Sequence, residues 1–322
     1  MSSHVDKKVN NDFLVWLNKK YGALGEVTST RGKVHEYLGM TLDFSARKKV
    51  KVRMEKYVEK MLDEFPIKFA EDERQETPAS NSLLEEGKGK LLEENRKEVY
   101  HSFTAKGIFV SKRARTDIHP TVTVLSTRVK GPKETDWKKL VRMMRYLHTT
   151  KGLYLTLYAY DISKGVWYID ASFAVHPDYK SHTGGVLIMG RGPGALQVLS
   201  KKQKLNSRSS TEAELIGVDD AITMVIWTHL FFKEQGYPLK KNILMQDNKS
   251  AILLEKNGRK SAGKRSRAIN IRYFYITDQV EQGNVEIQYC PTDEMVGDFM
   301  TKPLQGEKFR KFRKIILGLD EE

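Results

Sequence analysis

Apolar positions in the first half of the chain recur mostly at the three- and four-residue spacing of amphipathic helices. This spacing predicts a helix over about 10–23 and another over about 53–64. The same spacing continues from about 96 to 149, where Pro120 and Pro132 divide it into separate helices. The first half is therefore expected to be mostly helical.

Two segments of this first half alternate apolar and polar residues instead. HEYLGMTLDF predicts one half-buried strand and LYLTLYAY predicts another. A charged stretch from about 70 to 95 has little periodicity and predicts a solvated connection. Asp136 is a candidate cap for the last helix of this half, and Gly152 closes that helix.

The pattern changes after Gly165 to short β-like runs followed by longer helical ones. VWYID, GGVLIMG and ALQVLS, joined by SHTGG and GRGPG as turns, predict an antiparallel meander. A long helix begins at SSTEAEL and ends near Gln235. Five patterns follow this helix. NILMQD and VEIQYC predict strands, and NKSAILLEK, INIRYFYITDQVEQ and EMVGDFMTK predict helices.

This order of elements predicts an α/β fold, a mixed five-stranded sheet flanked by helices, preceded by a smaller, mostly helical α+β part. A chain of 322 residues with 39% hydrophobic composition can bury the core that such a fold needs. Cys290 is the only cysteine, which excludes an internal disulfide and a zinc site built on several thiolates. We therefore expect an intracellular protein, cytoplasmic or nuclear.

The charge of the chain is strongly positive. Lys and Arg number 55 against 41 Asp and Glu, a net charge of +14. Such an excess favours a polyanionic partner, although it could also serve only solubility. No uninterrupted apolar run reaches the length of a signal core or a membrane span, so no membrane partner is expected.

Four carboxylates in the second half are the candidate catalytic and metal-binding residues. Asp170 and Asp247 each end an apolar strand pattern, and Glu214 lies about one turn into the long helix. Asp298 lies between apolar neighbours with no evident structural partner. Their order and settings agree with a site for two Mg²⁺ ions, with Mn²⁺ as an alternative, that hydrolyses a phosphodiester.

Each carboxylate also has an ordinary structural explanation. Asp170 could form a turn, and Asp247 could cap the next helix. Glu212 and Glu214 could both complement the positive end of the helix dipole. Ser209 and Glu212, however, have the spacing of a capping box, which would occupy Glu212 and leave Glu214 free to face the sheet.

Other titratable residues fit a catalytic site less well. His176, His182 and His229 lack the spacing of zinc ligands, so they are expected on the surface or in the core. Asp219 and Asp220 lie inside the long helical pattern, where they are expected on a solvated face.

Several ordered motifs together resemble one family. Over roughly 165–305, the chain is similar to the ribonuclease H domain of copia-type LTR retrotransposon polyproteins, through YIDASFA, SHTGG, SRSSTEAEL, QDNKSAILLEKNG, INIRYFYIT and DFMTKPL. The resemblance implies a ribonuclease H-like fold, cleavage of the RNA strand of RNA–DNA hybrids, and metal binding by Asp170, Glu214, Asp247 and Asp298. Glu214 rather than Glu212 matches because AELIGV is in register with the family's helix motif.

The resemblance continues upstream. HEYLGMTL is similar to the strand after the polymerase active site, and SKRARTDIHP and DWKKLVRMMRYLHTT are similar to the thumb and connection. The family's Tyr-x-Asp-Asp hairpin is absent before them, so DNA polymerisation is not expected from this chain alone. An upstream polymerase half or another reverse-transcriptase subunit is an expected partner, in a cytoplasmic virus-like particle or in the nucleus.

The resemblance also implies a division of the chain. We expect a palm remnant over 1–66, a helical thumb and connection over 67–160, the ribonuclease H-like domain over 161–305 and a C-terminal helix or tail over 306–322.

Two basic clusters are candidate nucleic-acid contacts, although a solvated surface loop would also be basic. One cluster lies beside the long helix and the other lies after NKSAILLEK. Their members are Lys201, Lys202, Lys204 and Arg208, and Lys260, Lys264, Arg265 and Arg267.

Two other functions compete with hybrid cleavage. The first is a catalytically silent, nucleic-acid-binding relic, because the polymerase half is missing and Ala268 replaces a histidine of the family. The second is an integrase-like strand-transfer enzyme. It is disfavoured because its carboxylate order normally ends in Glu, whereas the order here ends in Asp.

Overall fold

The structure is a computed structural model that describes residue 4, residues 6–258 and residues 270–319, the last range without the side chains of 270–274. Its helices in this range are α1 Lys7–Tyr21, α2 Glu55–Glu64, α3 Glu94–Ser111, α4 His119–Ser126, α5 Glu134–Thr149, α6 Ser210–Glu234, α7 Lys249–Asn257, α8 Asn270–Glu281, α9 Asp298–Thr301 and α10 Gly306–Leu317. Its strands are β1 Val34–Tyr37, β2 Met40–Asp43, β3 Lys49–Arg53, β4 Leu155–Tyr158, β5 Lys164–Ser172, β6 His182–Met189, β7 Ala195–Lys202, β8 Lys241–Gln246 and β9 Glu286–Tyr289.

The first four strands form an antiparallel sheet in the order β1-β2-β3-β4. The single strand predicted from HEYLGMTLDF is wrong, because this segment is the hairpin of β1 and β2. Tyr37 pairs with Met40 across Leu38 and Gly39, whose φ angles are 51° and 75°. Two positive φ angles are typical of a tight hairpin turn, and a leucine in the first of these positions gives little warning of it.

The helices of the first half begin and end close to their predicted limits. Pro120 lies in the first turn of α4, where its missing N–H is tolerated. Asp136 is not the cap of α5, because the helix begins two residues earlier and the Asp136 carboxylate accepts a hydrogen bond from the Lys133 backbone N–H (2.9 Å). The connection near 70–95 is irregular as predicted, but Thr77 and Leu83 within it are buried.

The second sheet has five strands in the order β7-β6-β5-β8-β9. β5, β6 and β7 are antiparallel neighbours, whereas β8 is parallel to β5 and β9 is parallel to β8. The predicted α/β fold, with a mixed five-stranded sheet flanked by helices after a smaller α+β part, is confirmed. SHTGG is not a turn, however, because most of it lies within β6, while GRGPG does join β6 to β7.

Helices cover both faces of this sheet because its strands bury alternate residues on opposite sides. Trp167 and Ile169 pack with apolar residues of α6 and α8. Tyr168, between them, packs on the other face in a core shared with the helices of the first half and with α9 and α10. This core is continuous across the boundary predicted near residue 160, and the division into four segments stays a prediction.

One helix of the described part of the chain, α6, is long and apolar enough to cross a membrane by length and composition. Half of its apolar window is buried inside the protein. The core helix of a folded domain has the same composition. Packing on the sheet accounts for the buried part of α6, whereas Trp227, Leu230 and Phe231 near its end are exposed.

Two glycines let α9 approach the centre of the sheet closely. Gly184, on β6, pairs with Asp170 of β5. A β-carbon on Gly184 would lie 2.6 Å from the Thr301 side chain and 2.8 Å from Met300. A β-carbon on Gly297 would lie 3.0 Å from the Tyr168 carbonyl oxygen. The absence of these side chains therefore brings the start of α9 next to Asp170.

We expect Gly184→Ala to lower the free energy of unfolding by about 1–3 kcal/mol, because the new methyl group would push α9 from the sheet. Urea unfolding of the purified chain measures this change. Gly152→Ala is the matched control, since no atom lies within 4 Å of its added methyl group. Equal stability of the two variants would contradict the close approach of α9.

Candidate metal and catalytic site

Three of the four predicted carboxylates meet at one edge of the five-stranded sheet. Asp170 lies near the end of β5, and Asp247 follows the last residue of β8. These strands are parallel neighbours, so their carboxyl ends lie side by side. Glu214 lies in the second turn of α6, which packs across β5. One carboxylate oxygen from each of the three residues lies within 4.8 Å of the others.

The start of α6 separates Glu214 from Glu212. The Ser209 side chain caps the helix by accepting a hydrogen bond from the Glu212 backbone N–H (3.2 Å). The Glu212 carboxylate accepts from the Arg208 backbone N–H (2.7 Å), so it is occupied at the helix end. Glu214 is buried and accepts a hydrogen bond from the Gln246 side chain (3.4 Å). Glu214 therefore faces the sheet, as the capping spacing indicated.

Asp247 is not needed to cap the next helix. The Asn248 side chain caps α7 by accepting a hydrogen bond from the Ala251 backbone N–H (3.1 Å). Asp247 is half-buried, and one of its oxygens accepts a hydrogen bond from the Thr292 hydroxyl (3.0 Å). One Asp247 oxygen lies within 4.8 Å of oxygens of Asp170 and Glu214, so Asp247 can serve as a ligand together with them.

Asp298 lies apart from this three-carboxylate cluster. It begins α9 and is 1% exposed. One of its oxygens accepts a hydrogen bond from Lys302, and the other accepts from Lys308 (2.7 Å). The expectation that Asp298 has no structural partner is wrong. The four-residue spacing of Asp298 and Lys302 on a short helix was the signal that the sequence offered.

Lys302 also links Asp298 to the cluster. Its ammonium nitrogen lies 3.6 Å from an Asp170 oxygen, and the same oxygen accepts a hydrogen bond from the Thr301 hydroxyl. The site therefore contains two groups that sequence reasoning missed, a hydroxyl and an ammonium, both from the TKPL segment.

Burial and mutual repulsion raise the pKa values of the two innermost carboxyls. Burial raises the pKa of Asp170 to about 6; Lys302 opposes this shift and Asp298 adds to it. Burial, followed by the charges of Asp170 and Asp247, raises the pKa of Glu214 well above its ordinary value. Burial alone would lower the pKa of Lys302, but the nearby carboxylates of Asp170, Asp298 and Asp247 outweigh burial and raise this pKa.

The donor set suits a hard divalent cation. Carboxylate oxygens are the ligands that Mg²⁺ prefers, and three of them converge here at a partly open edge. Crowded, desolvated carboxyls that retain protons are stabilised as anions when a cation binds between them. The residues present therefore fit a divalent metal ion held by Asp170, Glu214 and Asp247.

The predicted nucleic-acid contacts divide into paired, exposed and undescribed residues. Lys201 forms an ion pair with Asp220 (2.8 Å), and Lys202 forms one with Asp178 (2.7 Å). These two lysines are thus partly neutralised. Lys204 and Arg208 are exposed beside α6. Outside the described residues lie Lys260, Lys264, Arg265 and Arg267.

Asp220, His176 and His182 have hydrogen-bond partners inside the fold. Asp220 is half-buried and accepts a hydrogen bond from Thr183 (3.0 Å), so its predicted solvated face is wrong, although it does lie within α6. His176 and His182 are buried and hydrogen-bonded to each other (3.0 Å). His182 also bonds the Ser200 hydroxyl (2.8 Å), which donates to the Met300 carbonyl oxygen (2.8 Å) and so ties α9 to the sheet.

Without divalent ions, we expect stability to depend on the charge of Asp170. A carboxyl whose folded-state pKa exceeds its ordinary value of 3.8 favours folding while it is protonated. The free energy of unfolding of the wild type should therefore fall relative to that of Asp170→Asn as pH rises from about 4 to 6, so that the gap between the two changes throughout this range. Urea unfolding of both proteins in EDTA across this range measures the difference between their unfolding free energies. A difference that does not depend on pH would contradict a raised pKa for the buried Asp170 carboxyl.

Comparison with known proteins finds relatives that match most of the chain. No protein-family model matches it. It is 29% identical over 296 residues, 88% of its length, to the retrovirus-related Pol polyprotein from transposon TNT 1-94 of Nicotiana tabacum, covering 22% of that protein. It is 31% identical over 211 residues, 63% of its length, to the corresponding polyprotein from transposon RE2 of Arabidopsis thaliana, covering 14% of it.

The similarity extends beyond plants. The chain is 24% identical over 320 residues, 95% of its length, to the transposon Ty1-NL2 Gag-Pol polyprotein of Saccharomyces cerevisiae, covering 18% of it. Among solved structures it aligns with a foamy viral protease-reverse transcriptase in complex with an RNA/DNA hybrid, at 11% identity and a TM-score of 0.44, over 91% of this chain and 34% of that one. The chain spans less than a quarter of the length of these polyproteins. The homologues of this chain are copia-type Pol polyproteins of plant and yeast retrotransposons, and they match most of its length.

Proposed function

We propose that this chain is a ribonuclease that cleaves the RNA strand of RNA–DNA hybrids with divalent metal ions. The observation that carries the proposal is the convergence of Asp170, Glu214 and Asp247 within 4.8 Å at the edge of the sheet. Homology to Pol polyproteins supports a retroelement enzyme region, and the net charge of +14 supports a polyanionic substrate. The proposed metal ion is Mg²⁺, with Mn²⁺ as an alternative.

Three carboxylates would hold the metal ion from different sides. Asp170 and Glu214 are buried and would hold the inner side of an ion, while half-buried Asp247 would hold its open side. A bound divalent ion would supply an activated water and charge stabilisation for the leaving 3′ oxygen. Thr292 and Gln246 fix the orientations of Asp247 and Glu214 through their hydrogen bonds.

Substrate binding would use the exposed cations near this edge. Lys204 and Arg208 are exposed close to the start of α6, whose second turn carries Glu214. They would contact backbone phosphates, and so would the basic stretch outside the described residues. Action inside the cell, in a particle or the nucleus, and pairing with a polymerase half belong to the same proposal.

We expect Asp247→Asn to lower the rate of Mg²⁺-dependent hybrid cleavage at least about 100-fold, because an amide cannot replace the charge of a carboxylate ligand. Asp278→Asn is the matched control, since Asp278 is exposed on α8 and is not one of the three clustered carboxylates. Gel analysis of a labelled RNA strand in a hybrid measures the product. Undiminished cleavage by Asp247→Asn would refute the assignment of the metal ligands.

The same assay separates cleavage from the competing function of a silent nucleic-acid-binding relic. The pairing of both Asp298 oxygens with lysine ammonium groups favours that alternative, because these cations occupy positions that a metal ion on Asp298 would need. A relic would bind the hybrid in a salt-sensitive manner and give no Mg²⁺-dependent product. An active ribonuclease gives both binding and product from the wild-type chain.

A further inference from the structure

The ammonium group of Lys302 lies between two carboxylates that the resemblance assigns to metal binding. It donates a hydrogen bond to one Asp298 oxygen and lies 3.6 Å from an Asp170 oxygen. Lys308 bonds the remaining Asp298 oxygen (2.7 Å) and has no ion pair with Asp170 within the described residues. Lys302 is therefore the cation that bridges Asp298 to the three-carboxylate cluster.

The charges of the site allow for one divalent ion. Asp170, Glu214, Asp247 and Asp298 can carry four negative charges, and the ammonium groups of Lys302 and Lys308 offset two of them. A single divalent ion balances the remaining two. A second ion would have to compete with an ammonium that is already hydrogen-bonded to Asp298.

We propose that Lys302 is a built-in cation that bridges Asp170 and Asp298 and limits the protein without nucleic acid to one divalent ion. This inference rests on the proposed function and assigns a regulatory group to the same site. The Lys302 side chain is 41% exposed, so it can withdraw into solvent without unpacking the core. A phosphate group entering the site would add the negative charge that a second ion needs.

The geometry explains why Lys302 can act in this way. It follows α9 directly, and its backbone N–H donates to the Asp298 carbonyl oxygen (3.0 Å), which fixes the distance between the two residues. Thr301 is buried and donates to Asp170. The backbone therefore presents the ammonium to both carboxylates, while the exposed end of the side chain leaves it able to move.

Counting bound Mn²⁺ in the 322-residue chain without nucleic acid tests the proposal. The free ion is measured by electron paramagnetic resonance during a titration. The wild type should bind one Mn²⁺ per chain, whereas Lys302→Met should bind two, with the second ion held at least about tenfold more tightly than in the wild type. Lys302→Arg keeps the cation and should stay at one ion.

Controls separate bridging from general charge. Lys308→Met removes the same unit of charge as Lys302→Met but leaves the bridge to Asp170, so it should still bind one ion, and two ions in this variant would overturn a role for the bridge itself. Lys311→Met removes an exposed charge from the same helix and should also bind one. Lys302→Gln replaces Lys302→Met if that variant does not show a cooperative thermal transition.

The outcomes are distinct. One ion in the wild type and one in Lys302→Met or Lys302→Gln overturns this inference and leaves the proposed function standing. Two ions in the wild type would also overturn this inference and leave the proposed function standing. No ion in the wild type overturns both proposals. One ion in the wild type and two in the neutral variants is the expected result.

Discussion

The close burial of Asp170 and Glu214 at the edge of the sheet is the constraint on which the site depends. Two ionised carboxylates removed from water repel each other and lose hydration, which a fold tolerates only when partners compensate. Thr301, Lys302 and Gln246 supply part of this compensation. The raised pKa values of both carboxyls indicate that these partners are insufficient. Perturbed carboxyls that converge at an open edge are typical of a functional site, because a bound cation completes the compensation.

The rest of the fold brings the partners of these carboxylates into place. α9 approaches β5 closely because Gly184 and Gly297 lack side chains. Its other side packs into the core that the five-stranded sheet shares with the helices of the first half. The first half of the chain is thus in physical contact with the segment that carries Asp298 and Lys302.

Local patterns in the sequence were sufficient where neighbouring residues alone decide the structure. The short apolar runs in VWYID and GGVLIMG predicted strands, and Ser209 with Glu212 correctly separated the capped glutamate from Glu214. They were insufficient where the outcome depends on contacts between distant segments. The turn at Leu38 carries a residue that rarely adopts positive φ, and Gly184 reads as a turn residue although it makes room for α9. The pairing of Asp298 with Lys308 depends on where α10 packs, which no local pattern encodes.

Localised cleavage of the polypeptide by bound Fe²⁺ shows whether Asp170, Glu214 and Asp247 share one metal ion. Fe²⁺ in place of Mg²⁺, with ascorbate and peroxide, generates hydroxyl radicals that cut the backbone beside the ion, and mass spectrometry locates the cuts. A shared ion predicts cuts near Asp170, Glu214 and Asp247, three segments that are far apart in sequence, and suppression of all three by excess Mg²⁺. Cuts at only one of these segments, or cuts that Mg²⁺ does not suppress, would contradict a shared ion.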